Sequence, residues 1–159
     1  MRLVNQASKP RRRGHAVVET ALMVPWIFFL FIGVLDFGFY VYASIATANA
    51  ARAAALRTST SKSAADDDAL ACLHALGELS MMPNSFGFDV TCASGDLVVD
   101  AALCPGGAVC SLACPSGDAN CAAVRVTYST PQLVPIPGVL MGKLVIARTA
   151  TMRIKGDGF

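Results

Sequence analysis

The stretch that decides the fold is RRRGHAVVETALMVPW, residues 11–26, in which three arginines and a glycine lead directly into an apolar segment. Over residues 16–51 the sequence contains only two charged side chains, Glu19 and Asp36. Spanning the core of a bilayer takes about 20 predominantly apolar residues in one helix. The sequence therefore predicts a membrane-spanning helix near residues 17–42, with a carboxylate close to its start.

Charge is divided unevenly along the chain. Residues 1–14 contain five basic side chains and no acidic one, whereas the rest contains eight basic and eleven acidic side chains and has a net charge of −3. Basic residues beside a spanning helix place that end of the helix in the cytoplasm. We therefore expect residues 1–14 to be a cytoplasmic leader. The mildly acidic remainder has no basic stripe, which argues against nucleic-acid binding.

Helical character is expected to continue beyond the membrane. Residues 43–57, ASIATANAARAAALR, are rich in alanine, which has the highest helix propensity. One helix over residues 15–57 would be about 64 Å long, roughly twice the hydrocarbon thickness of a bilayer. Half of it would be embedded and half would project, and Pro25 is expected to kink or loosen the embedded half.

Residues 58–159 predict an extracytoplasmic α+β domain. A polar linker over residues 58–68 ends in side chains that can cap a second helix, which Pro83 would close. Met81 and Met82 are expected to pack in the core. The apolar stripe of this second helix would consist of Leu70, Leu73, Leu76 and Leu79.

Strands are predicted at residues 86–92, 96–101, 123–129 and 143–155. The last two alternate between apolar and polar residues and would form a small antiparallel sheet against which the projecting helix packs. The register of the last strand is ambiguous, because Arg148 interrupts its apolar face. The inward faces of these two strands would consist of Val124, Val126 and Tyr128, and of Ile146, Arg148, Ala150, Met152 and Ile154.

Six cysteines follow the apolar segment, and outside the cytoplasm an even number of cysteines predicts a disulfide framework. Five of them lie in residues 92–121 among several glycines and prolines, which is typical of a stapled loop region. The sequence does not choose among the possible pairings. Cys110 and Cys114 lack the second close pair or histidine of a zinc site, so no metal or other cofactor is expected. The disulfide candidates are Cys72, Cys92, Cys104, Cys110, Cys114 and Cys121.

Three kinds of N-terminal segment are compatible with residues 1–50. A cleaved secretory signal would use Ala48-Asn49-Ala50, but the apolar region of such signals is only about 7 to 15 residues long. An uncleaved anchor would simply place Glu19 at the membrane interface. The third is a leader cut before the apolar segment, between Gly14 and His15. The basic leader, Gly14 at its end, and Glu19 five residues further on resemble the prepilin processing pattern.

The prepilin resemblance implies a role for Glu19. In that family a membrane aspartic peptidase cuts after the glycine, which would create a new amine on His15. A charged side chain in a spanning helix costs about 2.5 to 3.5 kcal/mol at the bilayer centre and less near the interface. Pairing with the amine of a neighbouring subunit would offset part of that cost. Glu19 would then be an assembly contact and not a catalyst.

Residues 14–57 more narrowly resemble the TadE-like family of pseudopilins from tight-adherence (Flp) pilus systems. The resemblance implies a minor pseudopilin of the bacterial inner membrane that crosses it once and either enters or primes the pilus. The implied partners are prepilin peptidase, the major Flp-type pilin, other minor pseudopilins, the inner-membrane assembly platform and membrane lipid. The matching features are Gly14 with Glu19, the ALMVP proline Pro25, GVLDFG over residues 33–38, and the pair Arg52 and Arg57.

Asp36 has two interpretations. It lies about 26 Å beyond Glu19 along a straight helix, near the outer boundary of the membrane. It is either a hydrated interfacial carboxylate or an assembly residue that pairs with a base on a partner helix.

The sequence does not predict an enzyme. It contains no phosphate-binding loop, nucleophile elbow or zinc-binding helix. His74 is expected to be solvated or packed, and residues 66–68, three consecutive aspartates, to be an exposed helix start. The alternative to a filament subunit is a membrane-anchored extracytoplasmic binding or adhesive module, with its binding residues on the cysteine-rich loops. Such a module would work with any apolar span.

Overall fold

The computed structural model of the chain describes residues 13–105, 120–131 and 142–154, with side chains from residue 16 onward. Its first element is one helix of 46 residues, α1 (Arg13–Thr58), which continues through Pro25. The long N-terminal helix is thus confirmed. The chain divides into two units, Met1–Phe37 and Gly38–Phe159, and α1 contributes to both.

In the first unit, α1 exposes apolar side chains on every side. Apart from the half-buried Ile32, its large apolar residues between Val17 and Phe37 are 54–72% exposed. Six of them are consecutive, Trp26–Phe31, and six consecutive helical residues point in all directions around the axis. Water does not stabilise such a surface, whereas lipid does. Among the described residues, this is the one helix that is long and apolar enough to cross a membrane.

The second unit contains a three-stranded antiparallel sheet in the order β1 (Leu97–Cys104), β2 (Cys121–Ser129) and β3 (Val145–Arg153). The two predicted C-terminal strands are confirmed as the β2–β3 pair. The predicted strand at residues 86–92 is wrong: a 3₁₀ turn, Ser85–Gly87, and further turns occupy it. Its backbone groups bond mainly within the turns, as in the hydrogen bond from Phe88 N to Ser85 O, while Cys92 O accepts from Val99 N of β1 at 3.0 Å.

The strand register aligns the apolar side chains in rows across one face of the sheet. The buried residues Val124, Val126 and Tyr128 lie on this face, as the alternation predicts. Arg148 pairs with Val126, in the same parity as the buried Ile146. Because β3 is an edge strand, the Arg148 side chain extends out of the core and its Nη2 donates to Ser44 Oγ on α1 at 2.7 Å. The predicted parity of β3 is therefore correct.

Residues of α1 from position 43 to position 58 pack on the sheet through small side chains. The buried positions recur at the three- and four-residue spacing of one helix face. Alanine has no side-chain rotamer entropy to lose, and its short side chain lets the helix backbone come close to the strands. The buried stripe consists of Ala43, Thr47, Ala50, Ala51, Ala54, Ala55 and Thr58.

Two short helices follow, α2 (Lys62–Ala65) and α3 (Asp68–Leu79). The predicted leucine stripe of α3 is confirmed at Leu79, which is buried, and at Leu76, which packs against the core, but it is wrong at Leu73, which is 65% exposed. The rest of the buried face consists of small side chains, so the helix is rotated relative to the prediction. Two contacts fix this rotation: Ala101 N donates to Asp68 Oδ1 at 2.6 Å, and Cys72 forms a disulfide. The residues of α3 that are buried are Ala71, Cys72, Ala75 and Leu79.

The turns after α3 begin at two adjacent methionines and are held by a polar cluster. Met82 is buried as predicted, but Met81 is 84% exposed. Asn84 bonds to three groups: Asp96 Oδ2, the Ser129 carbonyl and the Tyr128 hydroxyl, which donates to Asn84 Oδ1 at 2.6 Å. These bonds tie the turns to the ends of β1 and β2.

The ionisation states of Asp96 and Tyr128 suit the hydrogen bonds of the same cluster. The hydrogen bond from the Lys143 ammonium lowers the pKa of Asp96 below its ordinary value, against the opposing effect of burial. Burial, and secondarily the charge of Asp96, raises the pKa of Tyr128 to about 12. The carboxylate is therefore ionised and the phenol protonated at neutral pH, which is the state that these hydrogen bonds require.

The cysteine framework is partly visible. Cys72 and Cys92 form a disulfide with a Cα–Cα distance of 5.7 Å, and both residues are buried. Cys104 and Cys121 are opposite each other in the register, and each is disulfide-bonded. Cys110 and Cys114 lie outside the described residues. The predicted strand at residues 96–101 is confirmed as most of β1, whereas the loop region predicted over residues 92–121 is wrong for residues 102–104, which extend this strand.

Removing the Cys72–Cys92 bond should destabilise the second unit without changing its fold. The bond closes a loop with a sequence separation of 20 residues. For such a loop, the chain-entropy model gives a loss of about 3 kcal/mol. We expect the double variant Cys72→Ala/Cys92→Ala to lose that free energy of unfolding, measured by urea denaturation of the full chain in detergent micelles. A loss below about 1 kcal/mol would show that the bond does not constrain the unfolded chain.

Candidate functional site

The candidate site is the membrane-facing half of α1 with its two carboxylates. Glu19 and Asp36 are 17 positions apart, which corresponds to about 26 Å along the helix and about 100° around it. They therefore lie at different depths and on different faces. One helix cannot bring them together, so the two carboxylates cannot share one partner group.

Glu19 is exposed on the surface of the helix. No hydrogen bond or ion pair joins its carboxylate to another described residue. The neighbouring Thr20 does not supply a donor, because its hydroxyl donates to the Ala16 carbonyl at 2.9 Å. The carboxylate of Glu19 is therefore free to accept hydrogen bonds from a second chain.

Gly14 and His15 lie in the first turn of α1, and the structure does not describe their side chains. The backbone places the predicted cleavage point at the start of the helix. The proposed cut and the assembly role of Glu19 stay predictions.

Asp36 is half-buried, in contrast to Glu19. Within the described residues, its Oδ2 is shielded from solvent and has no hydrogen-bond partner. An added Cβ at either flanking glycine, Gly33 or Gly38, would meet nothing within 4 Å, so the helix surface beside this carboxylate is open. A shielded oxygen without a donor is unfavourable by roughly 1 to 3 kcal/mol. Both interpretations of Asp36, the hydrated interfacial carboxylate and the assembly residue, stay predictions.

The other polar residues singled out in the sequence have structural roles. Asp67 Oδ1 caps α3 by accepting from Leu70 N at 3.0 Å, and Asp68 accepts from β1 as described above. His74 is half-buried on α3. In the described part of the chain, no group of three or more histidine, cysteine, aspartate or glutamate side chains could hold a metal ion.

Sequence reasoning missed two polar contacts that position the domain. Arg148 was recognisable as an interruption of an apolar face, but its partner Ser44 lies 104 positions away. The polar cluster around Asn84 consists of residues from four separate segments, and the sequence of each is typical of an ordinary turn or strand end. No local pattern could have identified either contact.

These features define a class: a protein with one apolar N-terminal helix that fits membrane anchoring, followed by a small disulfide-bonded α+β domain. Residues 14–56 match the family model described as TadE-like protein. The match confirms the TadE-like resemblance for this segment, which covers most of α1. No match was found among curated proteins or among solved structures.

Proposed function

We propose that this chain is a minor pseudopilin of a tight-adherence (Flp) type IV pilus system. A prepilin peptidase would cut it between Gly14 and His15, and the mature chain would enter the pilus or prime its assembly. The TadE-like match carries this proposal, because it begins at residue 14 and extends through both carboxylates. The matched segment thus starts at the predicted cut.

The proposed topology follows from charge. The five basic residues of the leader favour a cytoplasmic N-terminus in the bacterial inner membrane, and the disulfides favour an oxidising compartment for the domain. The chain would then cross the membrane once. Its partners would be the peptidase, the major Flp-type pilin, other minor pseudopilins and the assembly platform.

The carboxylates would act as recognition groups within the membrane. Cleavage would place a new amine on His15, close to the depth of Glu19 in a neighbouring subunit. The exposed Glu19 carboxylate has no partner in the described part of its own chain, which leaves it available for that amine. Asp36 would accept from a donor on a partner helix at a second depth. Two separated contacts would fix both the register and the rotation of neighbouring helices.

Processing is tested first by the intact mass and the N-terminal sequence of the protein from its native membrane. We expect a chain that starts at His15 when the prepilin peptidase is present, and at Met1 when the peptidase is deleted. Gly14→Ala should retain the leader because the peptidase cuts after the glycine. A start at Met1 in both strains would contradict the proposal and favour the anchored binding module.

Glu19→Ala should separate processing from assembly. We expect the leader to be cut largely as in the unaltered protein, because the proposed contact forms after the cut. The amount of the protein in sheared pili should fall about tenfold or more, which is the effect of losing about 1.4 kcal/mol or more per contact. Glu78→Ala is the matched control, since Glu78 is an exposed glutamate on α3. Normal piliation by the processed Glu19→Ala protein would exclude the ion-pair role.

A further inference from the structure

Exposed apolar side chains gather at one end of the sheet in the second unit. Phe86 in the 3₁₀ turn is fully exposed, and Met81 is almost as open. Leu144 and Val145, at the start of β3, are also exposed. Single exposed apolar residues are ordinary, but a group of them marks a contact surface. We call Met81, Phe86, Leu144 and Val145 the apolar rim.

Hydrogen bonds place both halves of the rim at the same end of the sheet. The turn that carries Phe86 is attached through Asn84 to the carbonyl of Ser129, the last residue of β2. Leu144 is attached to the same end, since its carbonyl accepts from Thr130 N at 2.8 Å. The rim therefore surrounds the end of the sheet where β2 finishes and β3 begins.

The second part of α1 runs beside β3 in the same direction. Near the start of β3, Arg148 contacts Ser44. At the opposite end, Ala65 of α2 packs with Ala122 and Ile154 in one buried cluster. Since α2 begins only four residues after α1 ends, the C-terminal end of α1 lies near that opposite end. The N-terminal end of this helical segment consequently points toward the rim.

The rise per residue of strands and helices gives the position of the rim along the axis of α1. From Arg148 back to Val145 a strand covers about 10 Å, and the same distance along a helix from Ser44 covers roughly seven residues. Seven residues before Ser44 reaches Phe37, so the rim lies level with the first residue of the second unit, Gly38. The membrane-spanning segment joins this unit at that point, and Tyr40 and Tyr42 suit the outer membrane interface.

We propose that the apolar rim inserts into the headgroup and acyl boundary of the membrane that α1 crosses, as a second contact between the domain and lipid. Lipid is the occupant that continuity with the span predicts, because the rim is level with the first residues of the second unit, to which the span is joined. Lys143 fits this location, since its ammonium is held by Asp96 beside the apolar side chains Leu144 and Val145. The inference rests on α1 crossing a membrane and not on the proposed pilus function.

Tryptophan fluorescence in vesicles tests the proposal. The chain contains one tryptophan, Trp26, so a Trp26→Phe background is free of signal. In that background Phe86→Trp reports on the rim. Leu56→Trp is the matched control, because Leu56 is exposed on α1 but lies about 18 Å beyond Ser44, away from the rim. The full chain is reconstituted in phosphatidylethanolamine and phosphatidylglycerol, with and without phospholipids brominated near the headgroup end of their chains.

We expect brominated lipid to reduce the fluorescence of Phe86→Trp about twofold or more, as for a side chain buried roughly 5–10 Å into the interface, and to leave Leu56→Trp unchanged. Val145→Trp, on the other side of the rim, should behave like Phe86→Trp and guards against a local effect of one substitution.

Two results would overturn the proposal. If acrylamide quenches the rim tryptophans and brominated lipid does not, these side chains lie in water. Rim tryptophans protected from both quenchers would be covered by protein, such as a second copy of this chain. The natural Trp26 of the unaltered chain must itself be quenched by brominated lipid. If Trp26 is not quenched, α1 does not cross the membrane, and the proposed contact of the rim with lipid is excluded as well. If Trp26 is quenched but the rim tryptophans are not, only the contact of the rim with lipid is excluded.

Discussion

The contact between the small-residue face of α1 and the sheet is the interaction on which the folded domain depends. From Ala43 to Thr58 the helix buries alanines and threonines against the rows of apolar side chains on the strands. A larger side chain on this face would push the helix off the sheet, because the interior is close-packed. The same helix exposes bulky apolar residues on all sides before Phe37. The helix thus has bulky side chains where all its sides are exposed and small side chains where one face packs on the sheet.

This division explains why the carboxylates are informative. In a segment that exposes almost nothing but apolar surface, each ionisable group is costly unless it finds a partner. Glu19 is exposed without a partner among the described residues, and Asp36 has a shielded oxygen without a donor. This state is the reason for proposing that both carboxylates contact other chains. The TadE-like match covers both of them.

Much of the fold could be predicted from the sequence, since helix period and strand alternation are local. The length of α1 and the inward face of β2 followed from composition and from the positions of Val124, Val126 and Tyr128. The failures have one physical source, which is that tertiary contacts override local pattern. Asp68 and Cys72 rotate α3 so that its alanines face the sheet, and local hydrogen bonds turn Phe86–Cys92 away from any strand. The sequence alone could not supply these contacts, because their partners are distant along the chain.

The candidate site was predictable in its residues but not in its geometry. Gly14, Glu19 and Asp36 stand out because charge and glycine are rare in or beside a long apolar segment. The sequence could not distinguish an exposed carboxylate from a half-buried one, which depends on how neighbouring side chains pack around Asp36. It also could not show that the rim is level with the start of the second unit, which follows from the contact between Arg148 and Ser44 and from the cluster of Ala65 with Ala122 and Ile154.

Measuring spin-label accessibility along α1 in lipid vesicles tests whether the first part of the helix is surrounded by lipid and the second part packs on the sheet through one face. Single labels would be placed at each position from 26 to 31 and from 43 to 58 of the full chain. We expect uniformly high oxygen accessibility in the first segment. In the second segment we expect accessibility that rises and falls with a period of about 3.6 residues, with minima on the alanine face. A helical period in the first segment, or none in the second, would contradict this expectation.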